Sequence, residues 1–170
     1  MIDVYFAKTK ECAKIPCKKS ENAGYDIYAC FDEDFIIIRS HRTVLIPTGI
    51  ASAIDEGCYF QLFERGSTGT KGIGQRCGVI DSGYRNEWFI PITNHNDEDY
   101  IVIAKDFVTN ETISQTATFG QNYIRYPYEK AICQAVILPV PKTKVTELSW
   151  DELKNMTSER MMGNLGSSNK

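Results

Sequence analysis

Histidine is nearly missing from this chain: His41 and His95 are the only two, far apart in sequence, and no C-x-x-C pair occurs. Neither pattern offers the ligand spacing of a structural zinc site, so no structural metal is expected. Long apolar runs are also missing. The strongest, Phe35-Ile36-Ile37-Ile38, is far too short to cross a bilayer as a helix, so no membrane partner is expected. An excess of positive charge is absent too. Lys plus Arg number 19 against 22 Asp plus Glu, and a net charge of −3 provides no global field for nucleic acid; any anion site must be local. Met1 to Phe6 lacks a basic stretch leading into an apolar one, so no secretory leader is expected and the expected compartment is cytoplasmic. Accordingly the six cysteines (Cys12, Cys17, Cys30, Cys58, Cys77, Cys133) are expected to be buried or free thiols rather than disulfides.

What is present is a globular balance, 42% hydrophobic and 24% charged over 170 residues, the size of a single domain. Ile2, Val4 and Phe6 alternate with Asp3, Tyr5 and Ala7, the period of two that marks a half-buried strand. Similar short runs follow at 25–29, 35–38, 44–46, 50–54, 59–63, 88–93, 100–103 and 132–140. Turn signals such as Asp55-Glu56-Gly57 and Asn94-His95-Asn96-Asp97 separate them, the spacing of an all-β sandwich or barrel. Helix signals are scarce. The best is Ser149-Trp150-Asp151-Glu152, a capping box opening one or two turns through Leu153 and Lys154. Gly66 to Gly78 holds five glycines with Arg65, Lys71 and Arg76 around them; the pattern fits a backbone-rich basic loop or a flexible surface connection. The polar stretch from Met156 to Lys170 reads by itself as a disordered terminus.

Five pieces in chain order resemble the five motifs of the trimeric dUTPase family. They are Ala23-Gly24-Tyr25-Asp26-Ile27-Tyr28-Ala29, then Arg65-Gly66-Ser67-Thr68-Gly69, then Gly78-Val79-Ile80-Asp81-Ser82-Gly83-Tyr84-Arg85, then Ile132-Cys133-Gln134 running on to Pro139, and Arg160 through Ser168. One glycine motif is weak; five in order are not chance. The third, running into Glu87-Trp88-Phe89, is similar to bacteriophage-type members. The resemblance implies an all-β jelly-roll (β-clip) subunit over 1–157 and a glycine-rich C-terminal lid over 158–170. The subunit would form a homotrimer in which that lid reaches a neighbour. It further implies an enzyme, dUTP diphosphatase, cleaving dUTP to dUMP and pyrophosphate. Asp81 would orient and deprotonate the attacking water and accept the deoxyribose 3′-OH, with Arg65 beside the phosphates. Tyr84 would pack beneath the sugar and exclude a 2′-OH. Backbone of the segment Gln75 to Val79, including Gly78 and continuing into Ile80, would read uracil. Ser67, Gln134 and Arg160, with Leu165, Gly166, Ser167 and Ser168 of the lid, complete the expected substrate contacts. Mg2+ would bridge phosphate oxygens, held through waters by Asp26 and Gln134 in an outer shell.

Several positions depart from the family pattern. Gly66 stands where Ser is usual, Leu165 where an aromatic stacks on the base, Met161 and Asn164 where glycines occur, and Ala131 where a basic residue precedes the Ile. Between Asn94 and Gln134 lie 39 residues, more than a strand-turn-strand needs, so 105–126 is read as an inserted arm or hairpin. That arm is either a surface decoration or a protein-partner surface. Two other functions share the fold. A dCTP deaminase relative is disfavoured because Pro91 stands where its glutamate would be, and proline cannot activate water. A non-catalytic regulatory or binding protein is disfavoured by the presence of Asp81, Tyr84, Arg65 and Arg160 together.

Overall fold

The strand Cys58–Phe63 shows how this sequence makes its layers: Cys58, Phe60 and Leu62 turn inward while Tyr59, Gln61 and Phe63 lie at the surface or partly so. The computed structural model describes residues 2–116 and 122–158. In chain order these form β1 (Val4–Lys8), β2 (Gly24–Ile27), β3 (Phe35–Ile38), β4 (Thr43–Pro47), β5 (Ile50–Ile54), β6 (Cys58–Phe63), α1 (Gly66–Gly69), β7 (Ile73–Gln75) and β8 (Val79–Ile80). Then come β9 (Phe89–Asn94), β10 (Tyr100–Ala104), α2 (Asn110–Thr116), β11 (Tyr123–Pro127), β12 (Cys133–Pro139) and α3 (Trp150–Lys154). The strands pair as β1-β5, β11-β10-β3, β2-β12-β6-β8 and β4-β9-β7, a mostly β, jelly-roll-like arrangement as expected from the spacing of strands and turns.

The main apolar core lies between these sheets. Phe60 and Trp88 are fully buried, their rings edge to face at 5.0 Å, and Phe6 from β1 packs on both at 5.6 and 5.8 Å. Such aromatic contacts add about 0.5–1.5 kcal/mol each beyond the area they bury. Ile27, Ile38, Ile46, Ile90 and Ile92 fill the rest. Thr48 donates to the Trp88 carbonyl at 2.7 Å and Trp88 N–H donates to Ile50 at 2.8 Å, so the segment entering β9 is stitched to the start of β5.

Three features differ from expectation. Gly66 to Gly78 is not simply a loop: it holds α1 and β7, and at α1 the Thr68 hydroxyl donates to the Arg65 carbonyl at 2.8 Å and accepts from Arg65 N–H at 3.1 Å, closing a turn. The segment 105–126 is no hairpin, since β10 and β11 run parallel and parallel strands need a crossover. That crossover carries α2, whose Ile113 packs with Val108 on Val102 and Ala104 of β10 in a small second core. Cys12 and Cys30 form a disulfide, Cα atoms 6.3 Å apart, which sequence cannot foresee because six cysteines permit many pairings. Cys17, Cys58, Cys77 and Cys133 are free.

Residues Met1–Val140 and Pro141–Lys170 form two units. In the second, Ser149 caps α3 as its sequence predicts, its hydroxyl accepting from Glu152 N–H at 3.2 Å, and Trp150 and Leu153 are exposed. No helix among the described residues is long and apolar enough to cross a membrane.

Candidate functional site

Asp26 and Gln134 sit directly opposite one another on the antiparallel strands β2 and β12, and β12 also pairs Gln134 with Phe63 at the end of β6. The chain leaves β6 through Glu64 into Arg65, so three adjacent strands deliver an acid, an amide and a guanidinium to the same end of one sheet. Arg65 Nε lies 3.2 Å from Asp26 Oδ1, and its Nη1 donates to the Ala131 carbonyl at 3.1 Å. Gln134 Nε2 donates to the Glu64 carbonyl at 2.9 Å, which leaves its Oε1 as the free acceptor. Gly24 leaves room for the Gln134 side chain as it lies: a Cβ at that position would stand 2.8 Å from Gln134 Oε1 and displace it. Asp26, Arg65 and Ser67 line a cleft of about 350 Å³ with Tyr28, Glu129, Lys130 and Ala131.

Beneath it the buried Tyr126 hydroxyl donates to the same Ala131 carbonyl at 2.6 Å. Burial pushes the Tyr126 phenol up, partly offset by neighbouring Arg65 and Ser67. The Cys133 thiol, on β12 behind the cleft, is driven far up by burial, which keeps it protonated and out of the chemistry. The small Ala131, in place of the basic residue usual there, acts through its backbone: its oxygen holds Arg65 and Tyr126 together.

The second group is separate. Val79, Ile80, Asp81 and Tyr84 line a cleft of about 230 Å³ with Cys77 and Phe89. A turn brings Tyr84 N–H to the Asp81 carbonyl at 3.1 Å, and the Tyr84 hydroxyl donates to the Glu87 carbonyl at 3.1 Å, fixing the ring; Asp81 is exposed. Arg85 Nη1 donates to Ser82 O at 2.5 Å and to Ser52 O at 3.3 Å, tying this turn to β5. Glu87 accepts from Gly49 N–H at 2.8 Å and from the Thr9 hydroxyl at 3.2 Å. The turn is therefore anchored through Arg85 and Glu87, just after Tyr84.

A sequence model of the dUTPase family matches residues 10–110, a span that runs to the start of α2 and holds Asp26, Arg65 and Ser67 of the first cleft and all the lining residues of the second. The chain belongs to the dUTPase family. The deoxyuridine 5'-triphosphate nucleotidohydrolase of Leptospira interrogans is 33% identical over 103 residues, 58% of this chain and 70% of that protein. That of Candida albicans is 28% identical over 171 aligned residues, 99% of this chain and 88% of that one. Among solved structures, the Staphylococcus bacteriophage 80alpha dUTPase with dUPNHPP has a TM-score of 0.74 at 20% identity, over 98% of each chain. The dUTPase of phage phi11 of S. aureus, described for its species-specific insert, has a TM-score of 0.67 at 20% identity, over 86% of this chain and 96% of that one. At such identities the likeness is one of fold.

Within this dUTPase fold, the expected site residues divide. Asp26, Arg65 and Ser67 share one cleft, with Gln134 opposite Asp26 on β12; Val79, Ile80, Asp81 and Tyr84 share the other. Gln75, on β7, gives its N–H to Glu64 Oε1 at 3.1 Å, and the Gly78 carbonyl accepts from Leu62 N–H at 2.9 Å; those backbone groups are committed within the chain. Arg160, Leu165, Gly166, Ser167 and Ser168 lie outside the described residues. Pro91, on β9, only offers its carbonyl to Arg76 N–H at 3.0 Å, in keeping with the absence of a deaminase carboxylate there. Sequence reasoning missed Tyr28, Glu129, Lys130 and Tyr126. Tyr28 was findable, because two residues past Asp26 is the same face of an extended chain.

Proposed function

We propose that the protein hydrolyses dUTP to dUMP and pyrophosphate, as a bacteriophage-type homotrimer acting in the cytoplasm. The observation that carries the reading is the division of the motif residues into two half-sites on one chain. Cleft one carries a placed cation and hydroxyl suited to phosphates; cleft two carries an acid and an aromatic suited to a nucleoside. Joining half-sites across copies of the chain makes one complete site per subunit boundary. The exposed Val79 and Phe89 beside Asp81, and the exposed Leu45 on the paired strand β4, supply apolar surface for that boundary. Residues 1–157 then form the β domain, with 105–126 as its surface elaboration, and 158–170 the lid that covers a neighbour's nucleotide.

Asp81 accepts the proton of the water that attacks the α-phosphorus; a new P–O bond forms, the bond to the bridging oxygen breaks, and pyrophosphate leaves. Arg65 and Arg160 meet the charge that moves onto the leaving oxygens, with the Ser67 hydroxyl and Gln134 alongside. Tyr84 fills the space a 2′-OH would need. Backbone at Gln75, Gly78, Val79 and Ile80 shapes the base pocket, while Leu165, Gly166, Ser167 and Ser168 close over it. Asp26 and Gln134, opposite one another on β2 and β12, would hold Mg2+ through waters with their side-chain oxygens. When bound, it supplies neutralisation of the phosphate oxygens.

Pyrophosphate release measured with dUTP, UTP and dCTP tests the reading. The expected kcat/KM for dUTP exceeds that for dCTP by about 10³-fold or more, since a mismatched base edge leaves buried polar groups unpaired. Comparable kcat/KM for dUTP and UTP would remove Tyr84 from its role, and no turnover of dUTP would sink the whole reading. Deleting 158–170 is expected to leave the trimer intact by light scattering and to lower kcat about 10²-fold, the effect of losing a covering and positioning segment. An unchanged kcat after truncation would show that the lid takes no part.

A further inference from the structure

Five of the chain's 19 basic residues fall between Lys8 and Lys19, against one acid, Glu11. Nothing in the reaction described so far uses them. This segment is fixed against the phosphate-side cleft: the Cys17 carbonyl accepts from Asp26 N–H at 3.2 Å, Ala13 is buried, and the Cys12–Cys30 disulfide ties it to the chain just after β2. Two of its lysines therefore run along β2. Lys18 Nζ lies over the Tyr25 ring at 5.6 Å, and Lys14 Nζ lies over the Tyr28 ring at 4.9 Å while pairing with Glu129.

Tyr28 and Glu129, both partners of Lys14, are walls of the cleft that holds Asp26, Arg65, Ser67 and Lys130. A carboxylate at the mouth of a polyanion site opposes the ligand unless a cation covers it. Lys14 covers it here. Its side chain remains 43% exposed, so the ammonium has room to turn from Glu129 to an incoming anion without crossing the core. Ammonium, unlike guanidinium, is a compact point charge on a flexible stem, suited to exchanging partners.

Resting on the dUTPase reading, we infer that Lys14 is a further triphosphate-binding residue: it leaves Glu129 to meet the outer phosphates of the nucleotide, with Lys130 completing a cationic rim. Arg65, held by Asp26 and Ala131, stays fixed deeper in the cleft; Lys14 is the movable cation at its edge. Glu129 holds that cation in place while the cleft is empty. The rim gives a chain of net −3 a local attraction for polyanions, and this attraction weakens with added salt.

Two measurements on the full-length protein test this. Calorimetric titration with inorganic tripolyphosphate and with dUMP reads the rim without catalysis, and pyrophosphate release from dUTP reads turnover across salt concentrations. Lys14→Gln is expected to weaken tripolyphosphate binding about tenfold, the worth of one charge-assisted contact at a half-exposed site, and to raise KM for dUTP with kcat nearly unchanged. Its dUMP affinity should match wild type, its salt dependence should be shallower, and Lys14→Arg should restore most of the loss. Glu129→Gln should lower KM for dUTP at low salt. Tripolyphosphate binding by Lys14→Gln within twofold of wild type would overturn the assignment. An equal loss for dUMP would also overturn it, showing that Lys14 merely supports the Tyr28 wall. Absence of pyrophosphate release from the wild type would instead defeat the dUTPase reading, leaving the tripolyphosphate titration to decide the rim.

Discussion

Asp81→Asn is expected to keep nucleotide affinity within a few-fold and to lower kcat by about two to four orders of magnitude, the usual contribution of a positioned general base. The substitution isolates the proton acceptor from the shape around it. Asp81 is exposed at the start of a turn whose remaining bonds come from other atoms: Tyr84 N–H to the Asp81 carbonyl, Arg85 to Ser82 and Ser52, Glu87 to Gly49. None uses the Asp81 carboxylate, so the amide leaves the turn and the Tyr84 ring in place. An exposed turn residue also has little effect on stability, and melting temperature should move by no more than a degree or two. Single-turnover kinetics with the variant separate the chemical step from release. A kcat within threefold of wild type would make Asp81 an ordinary turn residue and require another acid in the cleft.

Much of this was legible from the residues alone, for identifiable reasons. Strands such as Phe35–Ile38 and Ile50–Ile54 emerged where expected because a two-residue alternation or a short apolar run bounded by turns has few other ways to bury itself. The Ser149 cap emerged because its signal is local. What stayed hidden depends on distant partners. Thr68 closing a turn on Arg65 converts a glycine-rich stretch into α1, and nothing in the glycines announces it. The β10 to β11 crossover depends on Ile113 finding Val102 and Ala104, a tertiary contact that outweighs the polar character of Thr109 to Thr116. The site itself was legible as motifs but not as geometry. That Gln134 gives its amide to Glu64, that Ala131 serves through its carbonyl, and that Lys14 meets Glu129 across 115 residues are facts of register and closure.

Arg65→Met should be the second most damaging change, lowering kcat for dUTP by about 10²–10³-fold, the range seen when one preorganised donor to developing charge is removed. Arg65 is preorganised in this sense before any nucleotide arrives. Its Nε is held by Asp26 at 3.2 Å and its Nη1 by the Ala131 carbonyl at 3.1 Å, so the fork points in one direction with little freedom left to lose. Met keeps an unbranched apolar stem about as far as Nε and removes the guanidinium with its charge and donors. The structural cost is small, because Arg65 and Asp26 are each roughly one-third exposed and such a pair contributes only about 0–1 kcal/mol. Melting temperature should therefore fall by a few degrees at most while turnover collapses, a divergence that a merely structural arginine would not produce. Arg65→Lys is the sharper control. A single ammonium cannot reach Asp26 and Ala131 together and still present a donor to phosphate, so it should recover substrate binding more than kcat. If Arg65→Met retained kcat within threefold of wild type, the fixed guanidinium would be a brace between β2 and the segment before β12. The charge on the leaving pyrophosphate would then have to be met entirely by other cations, with Lys14, Lys130 and Arg160 the groups to vary next.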